Sequence, residues 1–115
     1  MDQEVSYTRH INTNKENRVE FWLINFDYID GNDYLAKMFC EQYNMHAEDK
    51  VDGIWFSSIK LYSDSEVYEL LWHEDIGNVV YSAKHDETSI AELEKRLIHV
   101  LDELNRRIEE AKNKN

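Results

Sequence analysis

With 115 residues and 42% hydrophobic content, the chain matches one globular domain able to bury its own core. Its 24 acids against 13 Lys plus Arg give a net charge of −11, which disfavours gripping nucleic-acid phosphates or an anionic membrane surface. A lone Cys40 excludes an intramolecular disulfide, and no apolar run approaches the ~20 residues that span a bilayer. With no basic-then-apolar start, the expected compartment is the reduced cytoplasm.

In chain order, "EVSYTRHI" alternates and "RVEFWLINF" (18–26) is rich in strand formers, with the polar "NTNKEN" between them. This predicts a β-hairpin whose second strand is the more buried. "DYIDGND" breaks the pattern, and Asp30 or Asn32, flanking Gly31, is placed to cap a helix. Leu35, Met38, Phe39 and Tyr43 then fall on one helical face. "AEDKVDG" reads as a polar connection. "GIWFSSIKLYS", "EVYELLWHE" and "NVVYSA" read as three strands, the first two joined by "SDS". The turn "EDIGN" joins the second to the third, with Gly77 supplying a positive φ.

The last segment is a helix reaching about Lys112, with Ser89 and Glu92 as a capping box and Thr88 as a competing cap. Leu93, Leu97, Val100, Leu101, Leu104 and Ile108 form its apolar stripe. The stripe favours packing on the sheet over a coiled coil, since its heptads are too few. Glu92 with Arg96, Asp102 with Arg106, Glu103 with Arg107 and Glu110 with Lys114 place an acid four residues before a base.

The expected fold is therefore a single α+β domain over residues 1–115, its last few residues frayed. It has an antiparallel sheet of about five strands and two helices in the order β-β-α-β-β-β-α, with the long C-terminal helix packed on the sheet. From Asp33 onward, the order α-β-β-β-α resembles the double-stranded-RNA-binding domain. That family grips phosphates with lysines at the start of its last helix. Here the matching "HDETSIAELEK" leads with acids, so RNA binding is not expected.

Motifs for catalysis are missing. Three single glycines cannot build a phosphate loop, and neither an H-E-x-x-H helix nor a C-x-x-C pair is present. His73, Glu74 and Asp75 are adjacent, but strand neighbours point to opposite faces. Only His73 and Asp75 could converge, with His85 a conceivable third ligand, so no metal or cofactor is expected. Cys40, next to Glu41, reads as a small buried side chain.

The charge excess sits in two blocks, 27–52 with seven acids and two bases and 64–87 with seven acids and one. Trp55, Tyr62, Tyr68 and Trp72 fall on strands between and within them. Aromatics rimmed by Asp27, Asp30, Glu48, Asp49, Asp52, Glu74 and Asp75 predict a surface for a basic protein partner. The functional expectation is a non-enzymatic inhibitor or immunity-type protein that covers a basic surface, such as that of a nuclease or toxin. One alternative is a structural or regulatory homodimer using spare apolar area. The other is a small-molecule site between helix and sheet, worked by carboxylates or His73.

Overall fold

The computed structural model describes residues 4–26 and 31–113. The alternating run at the N-terminus pairs as expected: β1 (Ser6–Asn12) and β2 (Arg18–Ile24) form a hairpin of seven consecutive residue pairs, Ser6 opposite Ile24 through Asn12 opposite Arg18. A short 3-10 turn at Thr13–Lys15 closes it, with Glu16 and Asn17 taking positive φ. α1 (Gly31–Tyr43) follows, then β3 (His46–Asp52), β4 (Phe56–Tyr62), β5 (Val67–His73), β6 (Gly77–Ser82) and α2 (Glu87–Asn113). The described strands form one antiparallel sheet in the order β1-β2-β6-β5-β4-β3.

The α+β class, the two helices and the long last helix on the sheet match expectation, with one more strand. β3 is the residue run read as a polar connection. All seven of its residues are exposed, and a register shift between Glu48 and Val51 interrupts its pairing with β4, so no alternation marks it. With β3 in place, the order after Asp33 no longer follows the double-stranded-RNA-binding pattern.

One face of the sheet carries the core. Phe21, Val80, Leu70 and Ile59 stand opposite one another across four strands, as do Tyr68 and Leu61. Leu35, Met38 and Phe39 of α1 and Leu93, Leu97, Val100, Leu101 and Leu104 of α2 pack on them. Burying each such side chain contributes about 2 kcal/mol.

One capping expectation is corrected, and of the two cap candidates for α1 Asn32 is set aside while Asp30 lies outside the described residues. Asp86 caps α2, its Oδ1 accepting from the Ser89 amide at 2.8 Å. Ser89 lies inside the helix, buried, and its hydroxyl donates to Glu66 at 3.2 Å. Asn32 does not cap α1: its side chain is buried and donates to the Ser57 carbonyl and hydroxyl at 3.3 and 3.2 Å. Glu92–Arg96 and Glu103–Arg107 form as expected, whereas Arg106 turns to Glu103 and Glu110 rather than to Asp102. Lys114 lies outside the described residues.

Among the described residues, no helix lies over the other face of the sheet. A row of Thr8, Trp22, Val79, Leu71, Ser58 and Val51 crosses it, with Val79 buried between Trp22 and Leu71. Beside that row, Glu20 is only 4% exposed. Its carboxylate accepts from Arg18 at 2.6 and 3.0 Å, Trp22 Nε1 at 3.0 Å and Asn12 at 3.1 Å. Burial by itself raises this carboxyl, but the hydrogen bonds from Trp22, Arg18 and Asn12 outweigh it and hold the group below the usual Glu range. Arg18 also lies over the Tyr81 ring at 3.7 Å, and the Tyr81 hydroxyl donates to Glu69. This network makes an uncovered face tolerable to a buried charge.

Candidate functional site: an apolar tip with an acidic rim

Antiparallel pairing brings two turns to one end of the sheet. Phe56 stands opposite His73, so the β3–β4 turn and the β5–β6 turn are neighbours. The Gly53 amide donates to the Phe56 carbonyl at 2.7 Å, and the Ile76 amide to the His73 carbonyl at 3.1 Å. The Glu74 amide reaches across to the Trp55 carbonyl at 3.0 Å and ties one turn to the other.

The tied turns leave apolar side chains in water. Ile54 is 83% and Trp55 59% exposed, with Val51, Phe56 and Ile76 also exposed. Asp52, at the end of β3, and Glu74 and Asp75, in the β5–β6 turn, are exposed beside them. Exposed apolar residues scattered singly are ordinary; five on two adjoining turns and the strand ends beside them form a patch. Gly53 permits it, since a Cβ there would come within 2.4 Å of the Phe56 ring.

The base of the hairpin is clamped to α1. Ser57 Oγ donates to Asp52 Oδ1 at 2.7 Å while accepting from the buried Asn32 amide. Lys50 on β3 bonds both oxygens of Asp33 at 2.8 Å. Two polar links thus hold the tip to the first turn of a helix seated in the core.

The predicted site residues separate into groups. Asp52, Trp55, Glu74 and Asp75 meet at the tip. Glu48 and Asp49 lie on the outer edge of the sheet, Glu48 paired with His46 at 3.3 Å and Asp49 accepting from Tyr62 at 3.2 Å. Tyr62, half-buried, sits at the far end of β4, roughly 20 Å along the strand from Trp55. Asp27 and Asp30 lie outside the described residues. Tyr68 is a correction: it is 0% exposed, beneath α1 and against Phe39, so it is core and offers nothing to a partner. Trp72, on the same helix-covered face, is half-buried.

The acidic block 64–87 does not gather at one place, because its two strands run the length of the sheet and back. Glu74 and Asp75 end at the tip. Glu66 is buried at the opposite end beside Ser89, and Asp86 caps α2 there. Glu69 lies on the open face opposite Lys60 and Tyr81.

Comparison of the chain with protein-family models, curated proteins and solved structures returned no match.

The geometry answers the remaining chemical readings. His73 Nδ1 accepts from the Asp75 amide at 3.1 Å, so its ring caps the turn. His85, beyond the other end of β6, is remote from it. Among the described residues, no group of three His, Cys, Asp or Glu could hold a metal ion. Burial first, then Glu41, pushes the Cys40 thiol up, away from a nucleophile's requirements. A groove of about 660 Å³ opens between the helices, with Phe26, Tyr34, Lys37, Leu104, Arg107 and Ile108 among its lining. Its Arg107 is taken by Glu103 and Glu41, and His73 is not part of it. Among the described residues, no helix is long and apolar enough to cross a membrane.

The additional tip residues Ile54, Phe56 and Ile76 were missed. The signal was present in "DGIWF": three large apolar residues directly after a turn glycine, before the buried parity of the strand begins.

Proposed function

We propose that this protein is a binding module of the inhibitor or immunity type, with the β3–β4 and β5–β6 turns as its contact surface. Ile54, Trp55, Phe56 and Ile76 enter an apolar cleft of the partner. Asp52, Glu74 and Asp75 meet cationic side chains at the rim of that cleft, as on a nuclease or another protein with a basic active face. The observation carrying this reading is the pair of turns, joined by the Glu74–Trp55 hydrogen bond, that holds an aromatic and aliphatic cluster in solvent within an acidic border. Binding energy at interfaces concentrates in such buried aromatics, while rim charges set the association rate.

The test begins with capture of a partner from the native host by tagged full-length protein. Affinity is then measured for wild type, Trp55→Ala and the triple variant Asp52→Asn, Glu74→Gln, Asp75→Asn. Loss of Trp55 is expected to weaken binding by about 30-fold or more, a change on the order of 2 kcal/mol. The triple variant is expected to slow association and flatten its salt dependence. A partner that binds all three proteins equally overturns the reading.

A further inference from the structure

The two edges of the sheet are built differently. β3 is defended: it is bulged, Asp49 takes φ 55°, and Glu48, Asp49, Lys50 and Asp52 line it. β1 lacks the bulge and the acids, and its one formal charge is Arg9. Its seven residues pair with β2 without a register shift, and Ser6–Asn12 contains no acid, glycine or proline. In a chain of net charge −11, an acid-free edge repels a second copy less than the acid-lined β3 edge does.

The geometry of this edge is self-complementary. Just before β1, Asn105 of α2 takes both backbone groups of Val5, accepting from its amide at 2.8 Å and donating to its carbonyl at 2.9 Å. Backbone groups alternate along an antiparallel strand, so those of Tyr7, Arg9 and Ile11 also point away from β2. A twofold axis at Arg9 sets Tyr7 opposite Ile11 of the second copy, an aromatic against a β-branched side chain, and Thr8 opposite His10. Arg9 meets its own equivalent, and Glu94, 3.7 Å away, is its counter-charge.

Apolar surface lies along the same flank. Ile11 is 61% exposed. On α2, Glu94 bonds the Tyr7 hydroxyl at 2.7 Å and Asn105 holds Val5, so this side of the helix follows β1. Ile98 falls between them at helical spacing and is 42% exposed.

We infer that β1 is a homodimer interface, in which two copies pair antiparallel about Arg9 with α2 and Ile98 flanking the seam. The sheet becomes continuous across both copies, with roughly six added backbone hydrogen bonds. The inference is independent of the tip reading. It has one consequence for the tip: antiparallel pairing points the two tips in opposite directions, so a dimer presents two separate binding ends.

The test is sedimentation of the full chain at micromolar concentration, with amide hydrogen exchange. Wild type is expected at twice the 13.8 kDa chain mass, with the Tyr7, Arg9 and Ile11 amides protected. Ile98→Glu, at an exposed helix position, is expected to stay folded by circular dichroism and to remain monomeric at concentrations about tenfold above those that dimerise wild type. In a Cys40→Ser background, Arg9→Cys is expected to form a disulfide-linked dimer on oxidation, since opposed strand residues sit about 5.5 Å apart. A wild-type monomer, a dimer indifferent to Ile98→Glu, or rapid exchange at all three amides overturns the inference. A monomer whose β1 amides become protected only with another protein present assigns this edge to a foreign strand and equally overturns it.

Discussion

The amide of Glu74 donates to the carbonyl of Trp55 across 3.0 Å, joining two turns that no local sequence signal connects. That bond makes the exposed tip one surface. Its residues are placed by strand pairing, and the tip's apolar side chains contribute little to the fold because water still surrounds them.

A first prediction follows from that exposure. Trp55→Ala and the double substitution Ile54→Ser, Ile76→Ser should change unfolding stability by no more than about 0.5 kcal/mol. Chemical denaturation measures this. A loss of several kcal/mol would show the tip to be structural.

Two glycines should respond differently to alanine. A Cβ on Gly31 would lie 2.6 Å from the Asn78 side-chain amide and 2.8 Å from the Phe26 ring. Asn78 is buried and donates to the Phe26 carbonyl at 3.0 Å, so it cannot yield. Gly31→Ala should therefore destabilise by about 1–3 kcal/mol, although alanine is the better helix former by about 1 kcal/mol. Gly53→Ala meets the ring of exposed Phe56, which can swing aside, so the melting temperature should hold while the tip changes shape. Thermal melts of the two variants decide it.

The clamp beneath the tip supplies a third prediction. Asn32→Ala removes the donor to Ser57, itself bonded to Asp52. The expected cost is about 2 kcal/mol. Amides of residues 53–56 should also exchange faster than in wild type. Unchanged exchange there would mean that the hairpin holds itself.

Glu20 gives the acid-side prediction. Its folded value lies below the ordinary Glu range, so ionised Glu20 stabilises fully above that range, and the contribution fades as pH falls through the lowered folded value. Glu69 has the opposite sign. Its carboxyl is raised, chiefly by burial, so its ionisation costs stability above the raised value and costs nothing below the ordinary range. Glu20→Gln should lower stability at neutral pH, and its deficit against wild type should shrink in acid. Glu20→Ala, which leaves Arg18 and Trp22 without their acceptor, should cost about 3 kcal/mol. Denaturation of both proteins across the acid range is the measurement, and a pH-independent gap would contradict the assignment.

How much of this was legible in the residues depends on where alternation survives. β4, β5 and both helices were readable because each has one buried parity or stripe. β3 was not, since "HAEDKVD" is exposed on both sides and bulged. The α2 cap was misread because "DETSIAE" offers three cap-type residues, Asp86, Thr88 and Ser89, and the Glu that completes a capping box follows Ser89 alone. The buried environment of Ser89 beside Glu66 decided between them. Tyr68 and Trp72 lie on the same parity as Leu70, the parity that faces the core. Which parity faced the helices depends on partners distant in sequence, here Phe39. Glu20 was passed over inside an apolar strand, though Arg18 and Trp22, two residues to either side, supply its donors.

Hydrogen exchange of the chain, alone and bound to a captured basic partner, tests the binding surface most directly. The account predicts new protection at residues 52–56 and 74–77, with β3's outer edge and the surface of α2 unchanged. Protection at β3 or α2 while both turns exchange freely would contradict it.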